Sequence, residues 1–285
     1  MSKMEKSTNP MHDKIDKILD YYNNYDEQGR LSKNLGIIEF QRTQGIIKRY
    51  LKTPPAVVLD VGGAAGRYSC WLANAGYDVH LIDPVLKHLE QAKNTSKAQP
   101  EAPIASYTLG DARRLEFNDE IADAVLLLGP LYHLVETQDR NQALLEALRV
   151  LKPGGHVFTA AISRFASIID GLISGYYRDP IFQEIMRVDL ESGQHRNPTN
   201  HPSYFTDAFF HHPDGLVREV NEAGFEVKGL FAVEGIAYLL GDAVKDWESG
   251  KLGEFIQEVM TKIEQEPSLM GASPHIICVG RKPSG

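Results

Sequence analysis

A glycine-rich turn, three acidic residues and a histidine are the groups whose types and spacing could do chemistry. The run Leu59-Asp60-Val61-Gly62-Gly63-Ala64-Ala65-Gly66 puts glycines where an apolar stretch gives way to a helical pattern. A turn without side chains lets the backbone approach a ligand closely. The helix beyond it offers free N–H groups that can satisfy a carboxylate or a phosphate. Asp83 and Asp111 end two later apolar runs. Taken singly, each is equally a turn or cap residue, and Asp83-Pro84 has the form of a helix start. His133 stands in Leu128-Gly129-Pro130-Leu131-Tyr132-His133-Leu134, just after a fourth apolar run. An imidazole with a pKa near neutrality suits a general base there, and Tyr132 beside it is the other catalytic candidate. The plainer alternative is a packed histidine and a tyrosine that lines a pocket with its ring.

A dinucleotide fingerprint, G-x-G-x-x-G, fails from either start. From Gly62 the third and sixth positions are Ala64 and Arg67, and from Gly63 they are Ala65 and Tyr68. A second cluster, His195, Arg196, Asn197, Asn200, His201, His211 and His212, lies further along. It lacks the spacing of a known metal site, so no metal is expected. Cys70 and Cys278 stand far apart without a zinc-type partner, and two lone thiols fit a reducing cytoplasm.

These residues need a scaffold, and the chain supplies alternating strands and helices. Residues 56–60 form a short, continuous apolar run, as expected of a strand buried on both faces. Tyr68, Trp71, Leu72 and Ala75 fall on one helical face, with Gly76 placed to end that helix. Strands are predicted at 78–83, 104–109 and 122–128, and helices at 85–96 and 138–151. Lys152-Pro153-Gly154-Gly155 reads as a turn before a fifth strand at 156–162. Strand–helix alternation implies a doubly wound, mostly parallel sheet of about seven strands, with ligands beyond the carboxyl ends of its strands. Asp60, Asp83, Asp111 and Gly129 all stand at or just past those ends.

Around this core, residues 1–54 read as an N-terminal helical arm, and residues 163–214 as a helical cap insertion too long for an ordinary connection. The cofactor-binding core is expected at 55–162, and residues 215–285 complete the α/β layer with a helix at 216–223, a strand at 225–233, a largely helical stretch at 236–265 and a last strand at 275–280.

The 285 residues carry a net charge of −8, from 30 basic and 38 acidic side chains, which argues against a duplex nucleic-acid partner. No apolar run approaches the length of a membrane span, and the N-terminus lacks a signal-peptide core, so a cytoplasmic protein is expected.

An acidic strand end followed by a G-x-G-x-G-like turn resembles class I S-adenosylmethionine-dependent methyltransferases, from about residue 56 to 162 and more loosely beyond. Ala64 replaces the family's middle glycine. The resemblance implies a Rossmann-like methyltransferase fold and S-adenosylmethionine as cofactor, with S-adenosylhomocysteine as product. It implies that Asp60, Gly62, Gly63, Ala64 and Gly66 form the cofactor turn. Asp83, with Pro84 after it, would bind the ribose diol, since a carboxylate accepts two hydrogen bonds. Asp111 and Ala112 would meet the adenine, and Leu128 and Gly129 would face the sulfonium and substrate.

The implied reaction is in-line displacement of the methyl group by an O, N, C or S nucleophile, in which alignment and exclusion of water matter most. Residues 128–134 lack the (D/N)-P-P-(Y/F/W) motif of many nucleic-acid and protein N-methyltransferases, so a small-molecule acceptor is expected, with no nucleic acid and no membrane as partner. The chain resembles the broad ubiquinone/menaquinone and natural-product group, and a monomer or homodimer is expected. Tyr25 and Arg30 of the arm, and Tyr176, His195 and His201 of the cap, are the substrate candidates. Two other readings stand beside this one: a catalytically inactive S-adenosylmethionine-binding regulatory or assembly protein, and a nicotinamide-dependent oxidoreductase.

Overall fold

The computed structural model describes residues 21–22, 29–32, 35–239 and 243–284. Tyr25 and much of the predicted N-terminal arm lie outside them. Among the described residues, seven strands form one sheet in the order β3-β2-β1-β4-β5-β9-β8. They are β1 (Val57–Val61), β2 (Asp78–Asp83), β3 (Ser106–Leu109), β4 (Ala122–Leu127), β5 (Leu151–Ile162), β8 (Glu226–Ala232) and β9 (His275–Arg281). The pairs β1–β2, β2–β3, β1–β4 and β4–β5 are parallel, whereas β9 runs antiparallel between β5 and β8.

The period-2 alternation of buried strands sorts side chains into two layers. Leu59, Val61, Val125 and Leu127 face one layer with Leu144 and Ala147 of α5 (Thr137–Val150) and Leu216 and Val220 of α8 (Pro213–Glu222). Val58, Val79, Leu81 and Leu126 face the other, with Ile46 and Ile47 of α1 (Leu35–Tyr50), Leu72 of α2 (Arg67–Asn74) and Leu89 of α3 (Leu86–Ser96). Chain order reverses between β1 and β4. There the loop after β4 carries the short helix α4 (Pro130–His133) across the glycine turn.

One predicted boundary is corrected. Residues 152–155 are not a turn before the fifth strand but lie inside β5, as a bulge between the pairs Ala122↔Leu151 and Ala124↔His156. The sheet continues through them because β9 keeps pairing: the Gly154 N–H donates to Lys282 O at 2.9 Å, and the Lys282 N–H to Gly155 O at 2.8 Å. Positive φ at Gly154, +81°, allows the extra residues.

Residues 163–212 hold α6 (Ala166–Ile173), α7 (Pro180–Ser192) and a two-stranded ribbon, β6 (Gln194–His195) with β7 (Ala208–Phe209). The stretch at 236–265 breaks into a 3-10 turn (Gly235–Leu239), α9 (Ala243–Asp246) and α10 (Gly250–Ile263), with α11 (Pro267–Met270) after it. No described helix is long and apolar enough to cross a membrane.

Candidate functional site

A cavity of about 420 Å³ opens where β1, β2, β3 and β4 end. Its floor is the glycine turn. Gly62 has φ +71°, and a Cβ there would come within 2.8 Å of Pro130, so the close passage of the loop after β4 requires glycine. A Cβ on Gly63 would lie 2.7 Å from the Asp60 carboxylate. Ala64, in the position of the missing glycine, has φ +48°, the left-handed region that glycine adopts most readily. The Gly62 and Gly63 N–H groups donate to Ile82 O at 2.7 and 3.3 Å, tying the turn to β2.

Asp83 is the fixed point of this wall. Its Oδ2 accepts from the Ala64 N–H at 2.9 Å, and its Oδ1 accepts from the Val85 N–H at 2.9 Å and from His88 Nδ1 at 3.0 Å. His88, which the sequence reading missed, is buried and lines the same cavity. Its Nε2 has no hydrogen-bond partner among the described residues. An imidazole five residues after an acidic strand end, in the first turn of α3, was the signal available.

Asp60 is 1% exposed. Ser69 Oγ donates to its Oδ2 at 2.6 Å, while Oδ1 is buried with no partner among the described residues. Burial pushes its pKa up to about 6 against the Ser69 hydrogen bond, and the Asp83 charge adds to the rise. Asp111 is gripped by Arg113, whose backbone N–H donates to it at 2.8 Å and whose guanidinium reaches it at 2.5 Å. Burial alone would raise the Asp111 pKa, but these hydrogen bonds hold it below the usual carboxylate range.

His133 is buried, and burial pushes its pKa down to about 3, so the ring is neutral. Its Nε2 lies 2.6 Å from Tyr22 Oη, and its Nδ1 has no partner among the described residues. Tyr132 packs on it edge-on, with ring centroids 4.6 Å apart.

A second cavity, of about 450 Å³, adjoins the first and is walled by Leu35, Ile162, Phe182, Tyr204, Phe205 and Phe210. Tyr22, Arg30, Glu39, Tyr132 and His275 line both cavities. An ionic network spans this junction. Arg30 forks onto Glu39 at 2.5 and 3.0 Å. His275 Nδ1 lies 2.6 Å from Glu234 Oε1 and 3.9 Å from Glu39 Oε2. Burial opposes the charged ring, yet Glu234 and Glu39 together push the His275 pKa up to about 9. Against burial, Arg30 and His275 hold Glu39 below the usual carboxylate range. Two cations thus balance two carboxylates. These residues come from a 3-10 turn, α1, the loop after β8 and the start of β9. No local sequence signal joins them.

The cap candidates fare differently. His195 reaches the wall of the second cavity, but both ring nitrogens are engaged: Nδ1 with Asp189 Oδ2 and Nε2 with Tyr204 O, each at 2.8 Å. Neither ring nitrogen is therefore free for a further hydrogen bond. His201 stacks on Tyr204 at 4.2 Å and lines neither cavity. Tyr176 packs on Phe182 and Tyr204 and also lines neither.

Comparison with known proteins agrees with this geometry. A family model described as a methyltransferase domain matches residues 59–159. This chain carries a methyltransferase domain. Methyltransferase GfsG of Streptomyces halstedii is 32% identical over 106 residues, 37% of this chain and 37% of that one. The ubiquinone/menaquinone biosynthesis C-methyltransferase UbiE of Acidiphilium cryptum is 31% identical over 112 residues, 39% of this chain and 44% of that one. The match to these curated relatives thus spans about four-tenths of their length. Among solved structures, 1,6-didemethyltoxoflavin-N1-methyltransferase of Burkholderia thailandensis, with its substrate and S-adenosylhomocysteine bound, shares the fold. It has TM-score 0.58, 13% identity, and coverage of 98% of this chain and 93% of that one.

Proposed function

We propose that this chain transfers the methyl group of S-adenosylmethionine to a small molecule held in the second cavity. The observation that carries this reading is the pair of adjoining cavities, one floored by the glycine turn and Asp83, the other walled by aromatic rings. The residues present fit the cofactor. Asp83 presents a fixed, acceptor-only carboxylate suited to the ribose diol, beside Pro84. Asp111 and the Ala112 N–H stand where the adenine would be read, and Leu128 and Gly129 close the opposite wall. The unpartnered Asp60 Oδ1 and the bare backbone of Gly62, Gly63 and Gly66 suit the amino-acid end.

When bound, the cofactor supplies an electrophilic methyl on positively charged sulfur. The chain's own part is alignment and exclusion of water. Tyr132 lines both cavities and orients the acceptor. His133, neutral and buried, shapes the cofactor side, and its unpartnered Nδ1 can hold a hydrogen bond. As a general base, a ring with a pKa of about 3 would contribute little near pH 7. Arg30 borders the acceptor at the junction. In this reading the stretch 163–214 covers the acceptor, and the N-terminal arm, through Tyr22, covers the cofactor. The names of the ubiquinone/menaquinone methyltransferase UbiE and of the didemethyltoxoflavin enzyme support a small-molecule acceptor.

The test is calorimetric titration with S-adenosylhomocysteine and, separately, NADH. Binding of the former alone is expected. Asp83→Ala should weaken it by about 1.5–3 kcal/mol, the contribution of hydrogen bonds to a charged group. That is about tenfold to more than a hundredfold in Kd. A folded Asp83→Ala that binds normally, or binding of NADH instead, overturns the reading.

A further inference from the structure

Among the described residues, five line both cavities and so mark where donor and acceptor would meet: Tyr22, Arg30, Glu39, Tyr132 and His275. His133 lines only the first cavity. Among the five, His275 alone has an imidazole, and its protonation geometry can be read from its partners. The Glu234 carboxylate 2.6 Å from Nδ1 can only accept, so Nδ1 carries a proton in every state of the ring. The neutral ring therefore keeps its lone pair on Nε2. That nitrogen makes no hydrogen bond among the described residues, yet it is not one of the fully buried polar atoms, and the ring is 22% exposed. The Glu234–His275 pair thus has the form of an orienting carboxylate and a proton-accepting imidazole open to a cavity.

We propose that His275, oriented by Glu234, takes the proton of the acceptor's O–H or N–H group during methyl transfer. This rests on the methyltransferase reading above. In the step, the O–H or N–H bond breaks and its electron pair stays on the heteroatom, available for attack on the methyl carbon. The proton bonds to Nε2 and later leaves to water, and nothing is oxidised or reduced.

Electrostatics couples this proton to the methyl group. The groups that face His275 are Glu234 from the loop after β8, Glu39 from α1 and Arg30 from the 3-10 turn, with the Tyr22 and Tyr132 hydroxyls sharing the junction. Their sum favours the imidazolium when no donor is present. A positive sulfur brought to the same junction opposes a second positive charge there. His275 is thereby shifted towards its neutral, proton-accepting form in the donor complex. The thioether product lacks that charge, so proton affinity returns when the acceptor's proton must be taken up. His275 is thus a base whose neutral, proton-accepting fraction rises when the donor binds.

Histidine-ring ¹⁵N NMR of the full chain tests this without any acceptor, comparing its complexes with S-adenosylmethionine and S-adenosylhomocysteine. The signal is assigned by its loss in His275→Gln. In the S-adenosylhomocysteine complex His275 should titrate near pH 9, with Nδ1 protonated in the neutral ring. In the S-adenosylmethionine complex its pKa should be lower by about half a pH unit or more, from one charge added nearby. Glu234→Gln should lower the value in both complexes. If that variant does not fold, Glu39→Gln should lower it as well, since Glu39 also favours the imidazolium. Equal pKa values in the two complexes, or a neutral ring protonated on Nε2, overturn the proposal. Failure of both compounds to bind in calorimetry overturns the methyltransferase reading instead, so the two failures are distinguishable.

Discussion

Asp60 places function and stability in opposition at a single side chain. Its pKa in the fold is about 6 against an ordinary 3.8, so the folded state disfavours the ionised carboxylate. For an acid whose pKa is raised on folding, the stabilising contribution is complete below the unfolded value and is lost as pH rises through the folded one. Asp60→Asn removes this dependence while keeping an oxygen to accept from Ser69 Oγ. The melting temperature of the variant relative to the ligand-free wild type should therefore increase as pH rises from about 4 to about 7, then stay level. Calorimetric scans at several pH values check this, and a difference that does not change with pH would show that Asp60 is not held in an environment hostile to its charge. Affinity for S-adenosylhomocysteine should fall in the same variant, because the oxygen lost is the unpartnered one. The strand-end acids and the glycine turn were legible in the sequence because chain order and spacing alone carry them. Ala64 shows what was not legible. Only the structure shows that it adopts φ +48°, so that alanine stands in a glycine conformation rather than in a rearranged turn.

Between elements, buried charge does what apolar pattern alone does not. Arg140 on α5 is 1% exposed. Its guanidinium reaches Glu219 on α8 at 2.7 Å and donates to Leu134 O and Val135 O at 3.0 and 2.8 Å. Glu219 also meets His211 Nε2 at 3.1 Å, and although burial opposes it, these partners hold its pKa down at about 2. One side chain thus docks α8 against α5 and closes the loop that follows α4. Arg140→Met keeps the apolar stem but leaves a carboxylate and two carbonyls without their donor. The expected loss is about 3 kcal/mol in urea unfolding, at the low end for breaking a buried ion pair from one side. A change below about 1 kcal/mol would place the pair among surface bridges of little weight. The helical period of α5 predicted its existence and span, whereas this contact depended on tertiary placement. The same limit explains residues 152–155. Pro-Gly-Gly reads locally as a turn, and only the partner strand β9, distant in sequence, keeps those residues in the sheet.

At the scale of the whole molecule, the sheet order was predictable as a class of topology, but the junction of the two cavities was not. Glu39, Glu234 and His275 meet only because β9 inserts antiparallel between β5 and β8 while α1 packs over the same end of the sheet. Ligand binding to such an assembly is also a statement about its folding. A compound that binds the native chain alone stabilises it by about 2.7 kcal/mol at a hundredfold excess over Kd. If Asp83→Ala weakens S-adenosylhomocysteine about thirtyfold, the same concentration should stabilise the variant by only about 0.9 kcal/mol. The comparison is made between each protein with and without ligand, so damage to the ligand-free fold cancels and the lost contact remains. Urea unfolding of both proteins at one fixed ligand concentration should therefore give a midpoint shift for the variant about one third that of the wild type. Equal shifts would place the cofactor's ribose away from Asp83, whatever the variant's own stability.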